Sequence, residues 1–188
     1  MLVHNQVMTT VTILADNHLI AKTESSFSVS SSEVNQRLRQ WLTDLQVPFR
    51  QVQHEPTLTS EESAKARSEP LEIGGKALLL KAADQFRLVV MPAHLKLDSG
   101  LAKQAFEVKK LRFARQQELL ERTGLVPGSV PPFGHPILPF DLYVDEAILA
   151  NQKIAFNAGL LTESFVMAME DYLRIANGRL VAVSCASP

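Results

Sequence analysis

The run KALLLKAADQFRLVVMPA over residues 76–93 constrains this chain more than any other feature. Two stretches rich in Leu and Val flank a polar turn region at 83–85, the pattern of a β-hairpin. Residues 77–80 and 88–91 are continuously apolar instead of alternating with polar residues. Such strands are buried on both faces, so the hairpin is expected in a sheet covered by helices. The flanking sequence supplies those helices. Val34, Leu38, Trp41, Leu42 and Leu45 share one stripe of a helix over 32–46, which Pro48 stops. Thr59 and Glu62 make a capping box at the start of a short helix reaching Arg67. Asp98 or Ser99 caps a helix through Phe106, and RQQELLERTG from Arg115 forms another that stops at Gly124. MEDYLRIAN is a last helix, ended by Gly178.

FRQVQH (49–54), KKLRFA, FDLYVD, KIAFNAG and RLVAVS read as further strands. Helices and strands mix without regular βαβ alternation, so the expected class is α+β: one domain with a mixed, mainly antiparallel sheet flanked by helices. A length of 188 residues with 46% hydrophobic content suits one globular domain. Residues 1–29 show no sustained period and read as an N-terminal arm on a domain spanning 30–188. Nineteen basic residues against twenty acidic ones leave a net charge of −1. The overall field therefore does not gather a polyanion, and any nucleic-acid contact must be local. No apolar run approaches the roughly 18 residues of a membrane span, and residues 1–8 lack a secretory pattern. The single cysteine, Cys185, excludes an internal disulfide framework, so a reducing cytosol is the expected compartment.

Several chemistries fail at the motif level. Gly75 and Lys76 resemble the end of a phosphate-binding P-loop, but that motif needs Gly at 70 and Ser or Thr at 77, where this chain has Pro70 and Ala77. There is no GxSxG elbow and no HExxH, and His4, His18, His54, His94 and His135 are too scattered to specify a metal. Neither metal nor cofactor is expected. Cys185, three residues from the end, is assigned no role.

Two features remain. Lys76 opens a strand, which either aims its ammonium at a pocket or leaves it solvated at the strand end. The stretch 125–139 holds five of the ten prolines and two of the eight glycines, and is expected to be a stiff loop. Pro131 and Pro132 carry no N–H, whereas Gly128, Ser129 and Val130 do. Either the loop aims those donors at an oxyanion or a water, or it is a proline-rich surface turn. Lys103, Lys109, Lys110, Arg112 and Arg115, interrupted by Glu107, form a basic stretch that reads as phosphate contacts or as a solvated face.

In order along the chain, HEPT (54–57), GKALLLK (75–81), LVVMPA (88–93), KLD (96–98), Thr123 with Gly124, GSVPPFG (128–134) and IAFNAG (154–159) resemble the YbaK-type family of aminoacyl-tRNA deacylases. AFNAGLL followed by DYLRIA is similar to its YeaK-like branch, and the match runs over 34–180. The family includes the editing insertion of bacterial prolyl-tRNA synthetases. The resemblance implies hydrolysis, in trans, of small amino acids such as Ser, Thr or Ala wrongly attached to tRNA. By the same resemblance Lys76 is the catalytic lysine that anchors the terminal adenosine or its phosphate. Gly128 through Pro132 matches the GxxxP loop, whose amides orient the carbonyl or the water. Asn157 and Gly159 match an N-x-G beside the pocket, and His54 and Thr57 an H-x-x-T segment lining it. Ser129 and His135 are further candidates close to the loop. Ala77 departs from relatives that have a polar residue there. Mischarged aminoacyl-tRNA is the implied partner, with an aminoacyl-tRNA synthetase as a conceivable second one. A non-catalytic tRNA-binding or regulatory module of the same fold, and a general small-ester hydrolase, are the alternatives.

Overall fold

The computed structural model describes residues 30–186; the expected arm at 1–29 lies outside them. Helix α1 (Ser31–Asp44) begins at a capping box between Ser30 and Glu33 and buries Val34, Leu38 and Leu42, the expected stripe. Strand β1 (Phe49–Gln53) leads to α2 (Ser60–Arg67), capped by Thr59 and Glu62 as expected. The hairpin follows as β2 (Gly75–Ala82) and β3 (Gln85–Pro92), then β4 (Lys96–Leu97) and α3 (Ser99–Ala105), capped by Asp98. Next come β5 (Leu111–Phe113), α4 (Gln116–Thr123), β6 (Asp141–Asp145), β7 (Lys153–Leu160) and β8 (Glu163–Ala168). The described chain closes with α5 (Met169–Ala176), β9 (Arg179–Val181) and β10 (Ser184–Cys185).

The class is α+β, as expected. Five strands order as β5-β2-β3-β6-β9, with β6 and β9 joining in parallel and the others antiparallel. Three more form an antiparallel sheet ordered β1-β8-β7, and β4 pairs with β10. The double-sided burial expected of the hairpin holds for β3: Leu88 and Val90 join the main core, while Val89 faces a smaller cluster with Phe106, Tyr143 and Val181. On β2 it holds only from Leu79 onward. Lys76, Ala77 and Leu78 are half-exposed because they border a cleft.

Three other expectations change. Strand β8 was not foreseen. It returns on β7 through a two-residue loop, and SFVM gives no periodic signal of its own beside the helical MEDYLRIA. The last helix ends at Asn177, in the left-handed conformation (φ 47°), one residue before Gly178. RLVAVS divides between β9 and β10, so Cys185 is an exposed strand residue. The loop over 125–139 is irregular as expected, but most of it is buried. Phe133 meets Trp41, Phe156 and Tyr172 edge-on at 5.3–5.5 Å between ring centres, which roots the loop in the main core.

Candidate active site

The two sheets touch where Gly74 bridges to Ala155, just before β2 begins. A cleft of about 160 Å³ opens there, bordered by Thr57, Ser63 and Arg67 around α2, Lys76 on β2, Asn157 on β7, and Gly128 and Val130 of the Gly/Pro loop. Lys76 and the loop thus face one cavity, which decides against both the solvated strand end and the surface turn.

The Lys76 ammonium donates to the carbonyls of Ala93 (3.2 Å) and Leu95, in the chain leaving β3. Among the described residues it contacts no carboxylate. Burial lowers its pKa, the charge of Glu61 opposes that shift, and Lys96 adds to it.

Four carbonyls, those of Val126, Gly128, Ser129 and Pro132, hold this part of the loop in place. Gly128 adopts φ +88°, a left-handed conformation that glycine takes without steric cost, and this closes a turn in which the Ser129 N–H donates to Val126 O. The Ser129 hydroxyl is also spent on that turn, accepting from Val126 N and donating to Val126 O. Asn157 Nδ2 donates to Gly128 O (2.9 Å), Gly159 N to Ser129 O (3.0 Å), and the Tyr172 hydroxyl to Pro132 O (3.0 Å). By contrast, the N–H groups of Gly128 and Val130 donate to no group among the described residues. A trans peptide holds its C=O and N–H on opposite sides, so the grip of Gly159 on Ser129 O turns the Val130 N–H the other way. Of the three expected amide donors, Gly128 and Val130 are free and Ser129 is not.

Behind Asn157 lies a buried polar network that the sequence reading missed. Arg67, the last residue of α2, is 6% exposed; its Nε donates to Ser164 Oγ and its Nη2 to Asn157 Oδ1, both at 2.9 Å. Ser164 Oγ lies 2.8 Å from Asn157 Oδ1 and 2.7 Å from His54 Nε2. His54 Nδ1 donates to the carbonyl of Glu55. No carboxylate pairs with Arg67 among the described residues, and burial brings its guanidinium down to about 10. Arg67 was overlooked because a basic residue in a short polar helix ordinarily faces solvent.

The other expected residues sort by position. Thr57 borders the cleft, and its Oγ1 accepts from Ser63 Oγ at 2.8 Å. His54, Pro132 and Gly159 do not border the cleft but connect to it, His54 through Ser164, Pro132 through the loop backbone and Gly159 through Ser129. His135 is exposed and lines a separate hollow with Arg37 and Arg122. Lys109, Lys110 and Arg115 are exposed and Lys103 half-buried, whereas Arg112 is engaged by Glu118 through two bonds of 2.7 Å. No helix among the described residues is long and apolar enough to cross a membrane.

The chain is 36% identical over 158 residues to the multifunctional Ser/Thr-tRNA deacylase ProXp-y of Escherichia coli (strain K12), covering 80% of this chain and 92% of that protein. It is 27% identical over 144 residues to the prolyl-tRNA editing protein ProX of Acetoanaerobium sticklandii, covering 73% and 88%. A crystal structure of a candidate trans-editing enzyme for prolyl tRNA synthetase superposes with a TM-score of 0.71 at 23% identity, covering 81% of this chain and 98% of that one, a likeness of fold. The aminoacyl-tRNA editing domain matches residues 54–175, which hold Lys76, the loop, Asn157 and Arg67 alike. The chain therefore belongs to the aminoacyl-tRNA editing domain family.

Proposed function

We infer that this protein is a trans-editing aminoacyl-tRNA deacylase, a hydrolase that cleaves the ester joining a wrongly attached amino acid to tRNA. The observation that carries the reading is the loop whose Gly128 and Ser129 carbonyls are tied back while the Gly128 and Val130 amides stay unclaimed in a cleft shared with a lysine. An aminoacyl ester is already activated relative to an amide. Its hydrolysis needs a placed water, stabilisation of the developing oxyanion and a hold on the terminal nucleotide. The Gly128 and Val130 N–H groups suit the oxyanion or the water, and the Lys76 ammonium suits the nucleotide or its phosphate. Water oxygen bonds to the acyl carbon, the carbon–ribose oxygen bond breaks, and the water's proton ends on the departing ribose hydroxyl.

The amino acid removed is small and hydroxylated. At about 160 Å³ the cleft lies well under the roughly 300 Å³ at which sites for drug-sized ligands begin, which suits a small acyl group inside it with the nucleotide at the half-exposed Lys76. Thr57 Oγ1 accepts from Ser63, which leaves the Thr57 proton for a hydroxyl oxygen of the substrate. The 36% identical relative carries serine and threonine in its name, in keeping with that polarity. The exposed Lys109 and Lys110 are the proposed contacts to the tRNA body.

Incubation with Ser-, Thr- and Ala-tRNAs of non-cognate pairing tests the reading by release of amino acid. Lys76→Ala is expected to lower turnover at least tenfold, about 1.4 kcal/mol of transition-state stabilisation, with the fold intact. Binding of the same tRNAs without release would instead identify a non-catalytic module, and equal turnover of a simple amino-acid ester a general esterase.

A further inference from the structure

Resting on the deacylase reading, we propose that Arg67 is the positioning residue of this cleft: through Asn157 it sets the orientation of the Gly128–Ser129 peptide and so shapes the loop that presents the free amides. Arg67 has only donors to offer, and the Gly128 carbonyl can only accept. Between them the Asn157 amide has a single workable orientation, Oδ1 toward Arg67 and Nδ2 toward Gly128 O. Ser164 cannot impose that choice, because a hydroxyl donates or accepts according to what faces it.

Without the guanidinium the Gly128 carbonyl alone opposes a flip of the amide, and Oδ1 loses its charged donor. Any population that flips sets Oδ1 against the Gly128 carbonyl, oxygen against oxygen, and the tether on that peptide weakens. Gly159 would still hold the next carbonyl, Ser129 O, so the effect is local to one peptide plane. A buried cation without a counter-charge is costly to desolvate. With it gone, Ser164 still donates to Asn157 Oδ1, so that buried oxygen keeps a partner. A guanidinium 6% exposed beside a cleft, with no counter-charge among the described residues, is explained by the geometry it imposes there.

The test uses the full chain and three variants: Arg67→Met, Arg67→Lys and Asn157→Asp. Asn157→Asp keeps an acceptor for Arg67, gives that cation a carboxylate, and removes the donor to Gly128 O. Two readouts run side by side, kcat and KM for the mischarged tRNA that the wild type deacylates best, and hydrogen exchange of the Ser129 N–H that closes the loop turn. Arg67→Met and Asn157→Asp are expected to lower kcat about tenfold or more with KM within about twofold, to speed Ser129 exchange about tenfold, and to melt no lower than the wild type. Their double variant is expected to lose no more than the worse single one, since both break the same link. Arg67→Lys, which keeps the charge without the fork, falls on the same side. Unchanged kcat and unchanged exchange in Arg67→Met would overturn the proposal. So would a loss confined to KM, which would make Arg67 a direct substrate contact, or one that merely follows a lowered melting point. Should Arg67→Met not fold, Arg67→Lys and Asn157→Asp decide by the same readouts. A wild type that releases no amino acid from any tRNA sinks the deacylase reading alone, and the exchange measurement still judges Arg67.

Discussion

Two arginine clusters hang from neighbouring residues of one strand and have opposite characters. Successive residues of β8 point to opposite faces of the sheet, so Glu163 looks toward α1 and Ser164 toward α2 and the cleft. On the α1 side, Glu163 takes Arg39 at 2.8 Å and Asn35 Nδ2 at 2.7 Å, while Asn35 also donates to Ala158 O. Charge balances there, and the cluster docks a helix. On the cleft side, Arg67 finds only the neutral oxygens of Ser164 and Asn157. Gly159 sits at the boundary, its φ of +89° making the bulge that lets α1 approach β7 on one side while its N–H grips Ser129 on the other. The difference teaches where to look for function: a balanced cluster serves stability, and an unbalanced one marks a site whose geometry matters more than its energy.

The largest effect is expected on the balanced side. Glu163→Ala takes one acceptor from the buried Asn35 amide and from the 36% exposed Arg39, and is expected to cost about 2 kcal/mol in denaturant-derived stability, with kcat per folded molecule unchanged. A loss of turnover without loss of stability would erase the distinction between the two clusters.

A smaller effect concerns Lys76, the second cation of the cleft without a carboxylate contact. Its pKa is lower in the folded than in the unfolded chain, so the unfolded chain binds more protons between the two values. Stability therefore rises with pH from the lowered value up to the usual 10.5. Direct titration of the ammonium by NMR is expected to give a midpoint below 10.5. Glu61→Gln moves it further down and Lys96→Met moves it back up. A midpoint indifferent to both would show that its neighbours do not tune it.

The smallest effect tests a balanced pair at the surface. Arg112 holds Glu118 down to about 2, its double hydrogen bond being the main cause. Glu118→Gln releases that guanidinium and is expected to steepen the salt dependence of tRNA binding by about one unit of logarithmic slope, whereas Lys109→Glu with Lys110→Glu flattens it. Slopes that stay put in both variants would remove the basic stretch from the tRNA interface.

Much of this was legible in advance, for reasons visible residue by residue. Capping residues such as Thr59 and Asp98, the leucine stripe of α1 and the Leu/Val hairpin are local signals, and each produced its element within a residue or two. Lys76, the loop and Asn157 were legible through the order of short motifs. Arg67 was not, because nothing in SEESAKAR tells a solvated arginine from a buried one. His135 misled because closeness in sequence to the loop is not closeness to the cleft: the chain turns inward at Phe133, and His135 emerges beside Arg37 and Arg122.

By itself, the order of residues determined which segments coil, which extend and where each stops, since those choices depend on neighbours a few positions away. Tertiary structure alone decided which amides stay free and which buried cation has no carboxylate beside it among the described residues. Those outcomes depend on residues about thirty or ninety positions apart, Gly128 with Asn157 and Arg67 with Asn157, whose meeting follows from how the two sheets pack and from no local pattern.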